Sequence, residues 1–446
     1  MSLPQPLSAA TTSPHATALD LPAAQSAPAP DQGLPEGAGS FTGVPGPAEA
    51  AATSAVRAGI DRDPQHGAVM PPLVLSSNFS FRGLGEQRRY DYTRSGNPTR
   101  DLLGDTLADL EGGARGVITS SGMSAIHLVL HLLPPGSRVV AAHDCYGGTH
   151  RLLSAYSRRR QLEVRFADLS RAESREEATL RGADLVWIET PSNPLLRLTD
   201  IAAVCAAARK AGARVAVDNT CLSPALQRPI EHGADLVVHS TTKYLNGHSD
   251  VVGGAVIAAD SSLGDDLTWW ANCLGLAGAP FDSFLTQRGL RSLHARLRVH
   301  EENAAEIARV LIEHPAVDRV YYPGLLDHPG HDLAVRQQDG FGAIVSFELR
   351  GGEAAVRELV ARTRLFTLAE SLGGVESLVA HPATMTHAAM EPEARRAAGL
   401  GDGLLRLSVG LESARDLAHD LRSALDQAEA AGAAQRLETG GAPCGS

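Results

Sequence analysis

The chain lacks most of what marks a secreted, membrane-bound or nucleic-acid-binding protein. Its five cysteines, Cys145, Cys205, Cys221, Cys273 and Cys444, are odd in number, scattered and without a C-x-x-C pair. That argues against a disulfide framework and fits free thiols in a reducing compartment, so a cytoplasmic protein is expected. No apolar run approaches the roughly 18 residues that a membrane-spanning helix needs. Basic residues are in deficit: 40 Lys and Arg stand against 51 Asp and Glu, a net charge of -11. No Lys/Arg cluster or aromatic-basic stripe is present to track a phosphate backbone. Neither a membrane nor a nucleic acid is expected as a partner.

Residues 1–52 contain no Lys or Arg at all and are rich in Ala, Pro, Ser, Thr and Gly. They have neither the charged start nor the apolar core of a secretory signal. Such a composition cannot bury enough apolar surface to offset chain entropy, so a disordered extension is expected there. Residues 431–446 read as a flexible tail of similar kind.

Two further absences narrow the chemistry. No G-x-G-x-x-G turn opens a helix, which excludes a nucleotide-dependent oxidoreductase on a doubly wound sheet. The HPGH stretch (His328, His331) lacks a Glu and a third ligand, so no metal site is expected.

What is present is a globular composition, 43% apolar and 20% charged. At about 150 residues per domain the length suits two or three domains. From 114 to 260 short β-branched runs recur: GVITS, RVVAA, EVRFA, LVWIE, RVAVD, DLVVHS and GAVIAA. Helix-like segments separate most of them, the rhythm of a mostly parallel, helix-covered sheet in an α/β protein. Thr99 is the expected N-cap of a helix over Arg100 to Leu110, stopped at Gly112-Gly113. Asp200 is the expected cap of another that ends at Gly212. Beyond about residue 300 the pattern becomes helix (Glu301 to Glu313), strand (Ala343 to Leu349), helix (Glu353 to Arg362), strand (Arg406 to Glu412) and helix (Ala414 to Ala428, capped by Ser413). That predicts a smaller α+β domain over 300–430, after an N-terminal segment over 53–113 and a large domain over 114–299.

Three strand ends carry chemistry. ADLVVHSTTKYLNGHSDVVGG places Lys243 just after an apolar strand, at the carboxyl edge where ligands of open α/β sheets bind. Alone, Lys243 reads as an exposed lysine in a polar loop. With Ser240 and Thr242 beside it, it has the donors that a Schiff-base lysine needs if its aldehyde partner carries a phosphate. RVAVDNT delivers Asp218 to the next strand end, where a carboxylate either opens a turn or pairs with a protonated pyridine nitrogen. VITSSGMSAIHLVL sets the amides of Gly122 and Met123 at a helix start, aimed at an anion.

At this point the sequence resembles the Cys/Met-metabolism family of pyridoxal 5'-phosphate (PLP) enzymes of fold type I, from about residue 54 to 428. The motifs that carry the resemblance are DYTRSGNPT, SSGM, DCYGGT, ETPSNPL, AVDNT, HSTTKYLNGHSDVVGG, LAESLGGVESL and HPATMTH. The resemblance implies a mostly parallel seven-stranded sheet with a smaller C-terminal domain. It implies that Lys243 carries the coenzyme in an imine, Asp218 pairs with its ring nitrogen, Tyr146 stacks on the ring and Asn193 bonds the phenolic oxygen. Gly122, Met123, Ser240 and Thr242 are then expected at the phosphate, joined by Tyr92 and Arg94 from a neighbouring subunit of a homotetramer. Arg406 is expected to grip the substrate carboxylate, Glu370 to accept a distal ammonium, Ser371 to place Lys243, and Arg151 to meet an acyl carboxylate.

The activity implied is replacement of the acyl group of O-succinyl-L-homoserine by L-cysteine, giving cystathionine for methionine biosynthesis. Elimination from cystathionine and sulfhydrylation of an O-acylhomoserine are the alternatives, and a non-catalytic regulatory protein of the same fold is the rival of another class. One position departs from the replacing members of the family. Ser95 stands in YTRSGNPT where several of them read YSRRGNPT, and eliminating members also read SGNPT. A charge partner for a succinyl carboxylate is thereby lost.

Overall fold

The seven β-branched runs become one sheet. Its strands are β1 (Arg115–Thr119), β2 (Arg138–Ala142), β3 (Glu163–Ala167), β4 (Leu185–Glu189), β5 (Arg214–Asp218), β6 (Leu236–Ser240) and β7 (Gly254–Ala258). They lie in the order β1-β7-β6-β5-β4-β2-β3. From β6 to β3 all neighbours are parallel, and β7 runs antiparallel to both β1 and β6. β4 and β7 are buried at every position, as strands covered by helices on both faces must be. The computed structural model describes residues 50–175, 180–385 and 399–440. Residues up to 49 of the expected extension over 1–52, residues 386–398 with the end of HPATMTH, and residues 441–446 of the expected tail over 431–446, with Cys444, lie outside the described residues; the first part of that tail, up to Gly440, is helical.

The helix expected from Thr99 runs Pro98–Glu111 and is capped by Asn97, whose side chain accepts from Thr99 N and Arg100 N. Pro98 explains the difference. Its fixed φ and missing N–H suit the first helical position, so the cap must precede it. Thr99 Oγ1 instead accepts from Val74 N over 2.9 Å, tying the N-terminal segment to the helix. Gly112 stops the helix with φ 74, and Leu103, Leu107 and Leu110 form its buried face. Asp200 caps helix Ile201–Ala211 as expected, accepting from Ala203 N over 2.9 Å.

The smaller sheet has the order β10-β11-β12-β9-β8. Its strands are β8 (Val317–Tyr321), β9 (Ile344–Leu349), β10 (Thr367–Leu368), β11 (Leu378–Ala380) and β12 (Leu404–Ser408). β12 sits earlier than the expected Arg406 to Glu412. Its ladder to β9 runs from Leu404 opposite Glu348 to Ser408 opposite Ile344, after which Leu411 N bonds Val375 O instead. Helix Leu293–Glu313 begins before Glu301 because Leu293 and Leu297 extend its buried stripe. The last helix, Ala414–Gly440, continues past Ala428; Ser413 Oγ accepts from Asp416 N at its start.

Among the described residues no helix is long and apolar enough to cross a membrane. The strand ends of β4, β5 and β6 lie side by side, with Glu189 in register with Asp218 and Asp218 with Val238. That carboxyl edge is where the site forms.

Candidate active site

Lys243 follows β6 in a tight turn, its N–H donating to Ser240 O over 3.3 Å. Its ammonium reaches Ser371, and Nζ donates to Ser371 Oγ over 2.6 Å. Burial, and then the positive charge of Arg406, hold this amine down to about 8. It opens into a cavity of about 240 Å³. Asp218, Gly122, Met123, Tyr146, Asn193, Ser240, Thr242, Glu370, Ser371 and Arg406 line the same cavity. Tyr92, Arg94 and Arg151 do not. Tyr92 is 49% exposed, and Arg94 Nη1 donates to Asn272 O and Oδ1 of its own chain over 2.9 and 2.6 Å. Arg151 stands on the exposed side of helix Gly147–Arg158. A larger cleft of about 740 Å³, lined by residues such as Arg171, Asp318 and Tyr321, contains none of these groups.

One end of the cavity is built for an anion. Ser121 caps helix Gly122–His131 by accepting from Ser124 N, which leaves the N–H groups of the cavity-lining Gly122 and Met123 without a helical acceptor. Gly122 must be glycine there, since a Cβ would stand 2.9 Å from Ser240 Cβ. Thr242 Oγ1 accepts from Gly253 N over 3.0 Å, which fixes the turn that carries Lys243.

Carboxylates of Glu189, Asp218 and Glu370 also line the cavity. Asp218 is buried, and burial pushes its carboxyl up against the pull of Thr220, whose N–H donates to Oδ1 over 3.1 Å. Arg406 on β12 is 2% exposed; Nη1 donates to Asn193 Oδ1 over 3.0 Å and Nη2 to Ser371 O over 2.5 Å. Its Nε has no hydrogen-bond partner among the described residues, so the guanidinium retains a donor. Cys145 and Cys221 are small buried thiols, as expected, and burial pushes both up.

The family model described as "Cys/Met metabolism PLP-dependent enzyme" matches residues 52–426. The chain belongs to this family. It is similar to cystathionine gamma-synthase of Escherichia coli (strain K12), 53% identical over 373 residues, 83% of this chain and 97% of that protein. It is also similar to cystathionine beta-lyase of Lactococcus lactis subsp. cremoris (strain MG1363), 45% identical over 375 residues, 84% of this chain and 98% of that protein. The solved structure of cystathionine gamma synthase from Xanthomonas oryzae pv. oryzae in complex with cystathionine superposes with a TM-score of 0.85 at 64% identity. That match covers 86% of this chain and all of the other.

A Cys/Met metabolism enzyme uses PLP, and this cavity fits it. A buried amine held down to about 8, a carboxylate on a strand end and a helix start for a phosphate suit that coenzyme. Two features of this family member were missed by reading the sequence. Glu189 ends β4 as Asp218 ends β5 and lines the cavity, so the strand-end signal that found Asp218 applies equally to LVWIE. The sequence also holds just two lysines, Lys210 and Lys243, and Lys210 is exposed on helix Ile201–Ala211.

Proposed function

We propose that the chain is a cystathionine γ-synthase, exchanging the acyl group of O-succinyl-L-homoserine for L-cysteine to give cystathionine and succinate. The observation that carries this reading is the pair of opposite anchors beside Lys243. Arg406 offers a guanidinium to one carboxylate, and Glu370 offers a carboxylate to the ammonium of a second amino acid. A product with two amino-acid ends suits both. Identity to the named synthases, 53% and 64%, above the 45% to the named β-lyase, supports it further.

PLP, when bound, supplies an aldehyde that joins amines and a cationic ring that withdraws electrons from the substrate's α carbon. The chain's own residues do the rest. Asp218 would keep the ring nitrogen protonated, and Tyr146 would cover the ring face. Gly122, Met123, Ser240 and Thr242 would hold the phosphate, joined by Tyr92 and Arg94 from a neighbouring copy of the chain. Asn193, its Oδ1 taken by Arg406, would offer Nδ2 to the phenolic oxygen. Arg406 fixes the substrate carboxylate so that its α proton faces Lys243. Lys243, as a free amine, would carry protons from the α and β carbons. The γ carbon–oxygen bond breaks and succinate departs. Cysteine's sulfur bonds to the same carbon, Lys243 returns a proton to each of the α and β carbons, and the thiol proton leaves to solvent.

A γ-lyase is the second reading, favoured by Ser95 in RSGNPT. Steady-state rates with O-succinylhomoserine, O-acetylhomoserine and cystathionine, each with and without cysteine, decide between them. A synthase forms cystathionine fastest from the succinyl ester. Faster release of 2-oxobutanoate from cystathionine overturns the proposal.

A further inference from the structure

Glu189 has no part in the scheme above, yet it is bonded to two residues that have one. It ends β4, is 5% exposed and lines the cavity. Its Oε2 accepts from Tyr146 N over 2.5 Å, and its Oε1 accepts from Asn193 N over 3.3 Å. We infer that Glu189 is a positioning residue, whose carboxylate ties the turn after β2 to the turn after β4 and so sets Tyr146 and Asn193 against the coenzyme ring. The inference rests on coenzyme occupying this cavity and is independent of the choice between replacement and elimination.

The reach of this tie goes beyond two amides. Asn193 Oδ1 is held by Arg406 Nη1 over 3.0 Å, and Arg406 Nη2 in turn holds Ser371 O. Ser371 Oγ is the partner of Lys243. A shift of the Asn193 main chain therefore moves the amide that faces the ring, the guanidinium and the tether of the reactive amine together. The same two turns are joined a second time, outside the cavity, by Ser192 Oγ donating to Asp144 Oδ2 over 2.6 Å. The fold keeps that link when Glu189 is replaced.

Stability alone does not explain a carboxylate here. Glu189 is in register with Asp218 on the neighbouring strand, and burial and the Asp218 charge both push its carboxyl well up. The N–H of Tyr146 pulls it back in part. A neutral side chain of the same shape relieves that repulsion. Glutamine has the shape but a single accepting oxygen. Its NH₂ end then faces an N–H donor, and one of the two ties is lost.

Glu189→Gln therefore separates positioning from structure. Apo-protein of the wild type and of E189Q is melted, then titrated with PLP while visible circular dichroism of the bound coenzyme is followed. Expected is a melting temperature equal to or above wild type. The coenzyme dissociation constant rises about tenfold or more, with a changed dichroic band. Glu189→Asp, which keeps the charge but shortens the reach, falls between the two. Unchanged affinity and an unchanged band in E189Q overturn the inference. So does an apo-protein that fails to fold, or whose melting falls in step with its affinity, because the group then serves the fold. Substrate rates do not enter, so a wrong substrate leaves the result untouched.

Discussion

Lys243 Nζ donates to Ser371 Oγ over 2.6 Å, and Ser371 makes that contact from a left-handed backbone with φ 92. An L-residue held there costs about 1–3 kcal/mol, a strain kept only where neighbours impose it. Arg406 grips the Ser371 carbonyl, and Gly373 N donates to Ser408 Oγ over 2.8 Å just beyond. Ser371→Ala removes the tether and keeps the strain; Ser371→Gly removes both. Both variants should lose about tenfold in kcat. The glycine variant should unfold with about 1 kcal/mol more free energy than the alanine variant in denaturant titrations. Equal stabilities would remove the strain argument, and an unchanged kcat the tether.

The amine of Lys243 must be neutral to capture an aldehyde, and burial with Arg406 holds it down to about 8. Below that pH it is protonated and unreactive, so coenzyme capture by apo-protein should accelerate as pH rises through about 8 and level off above. Arg406→Met removes a neighbouring positive charge but leaves the burial, which moves the midpoint to higher pH. Stopped-flow absorbance reads both curves. Borohydride reduction after capture should mark the Lys243 peptide and leave Lys210 unmarked. A midpoint at the ordinary lysine value, or one that ignores the arginine, contradicts the account.

Much of this was legible in the sequence because parallel strands, buried on both faces, announce themselves as continuous β-branched runs. All seven appear where RVVAA, LVWIE and their companions stand. Lys243, Asp218 and Gly122 were legible because Asp218 ends β5 and the other two lie three residues past the ends of β6 and β1. Caps were less so. Asn97 and Thr99 are both good cap residues, and Pro98 between them selects Asn97. Glu189 was passed over because a single carboxylate at a strand end says nothing of the two N–H groups that fold onto it from elsewhere. Arg406 and Ser371 come from the smaller domain, far along the chain, and spacing alone does not bring them to Lys243.

Behind the site lies a fully buried pair. His239 Nε2 and Glu111 Oε1 are 2.6 Å apart, and Asn219 Nδ2 donates to the same oxygen over 2.9 Å. Glu111 closes helix Pro98–Glu111, while Asn219 and His239 adjoin Asp218 and Ser240. Glu111→Leu leaves His239 buried without its partner, while Asn219 Nδ2 still donates to Gln227 O over 2.6 Å, and should cost about 3–5 kcal/mol of apo-protein stability in chemical denaturation. Adding His239→Leu removes the stranded group and should recover part of the loss. A double variant no more stable than the single would show that the pair is not coupled.

Tyr92 and Arg94 lie outside the cavity of their own chain, on a segment whose Val69, Leu75, Phe81 and Leu84 are exposed. If each site draws Lys243 from one copy and Arg94 from another, two crippled chains should repair each other. Lys243→Ala and Arg94→Ala proteins, each nearly inactive, are unfolded together and refolded. In a symmetric hybrid dimer one site carries both changes and the other carries neither. Random pairing makes half the dimers hybrids with one intact site in two, so about a quarter of wild-type activity should return. Chains that held their own Arg94 at their own coenzyme would regain nothing, because every site would keep one defect whatever its neighbour.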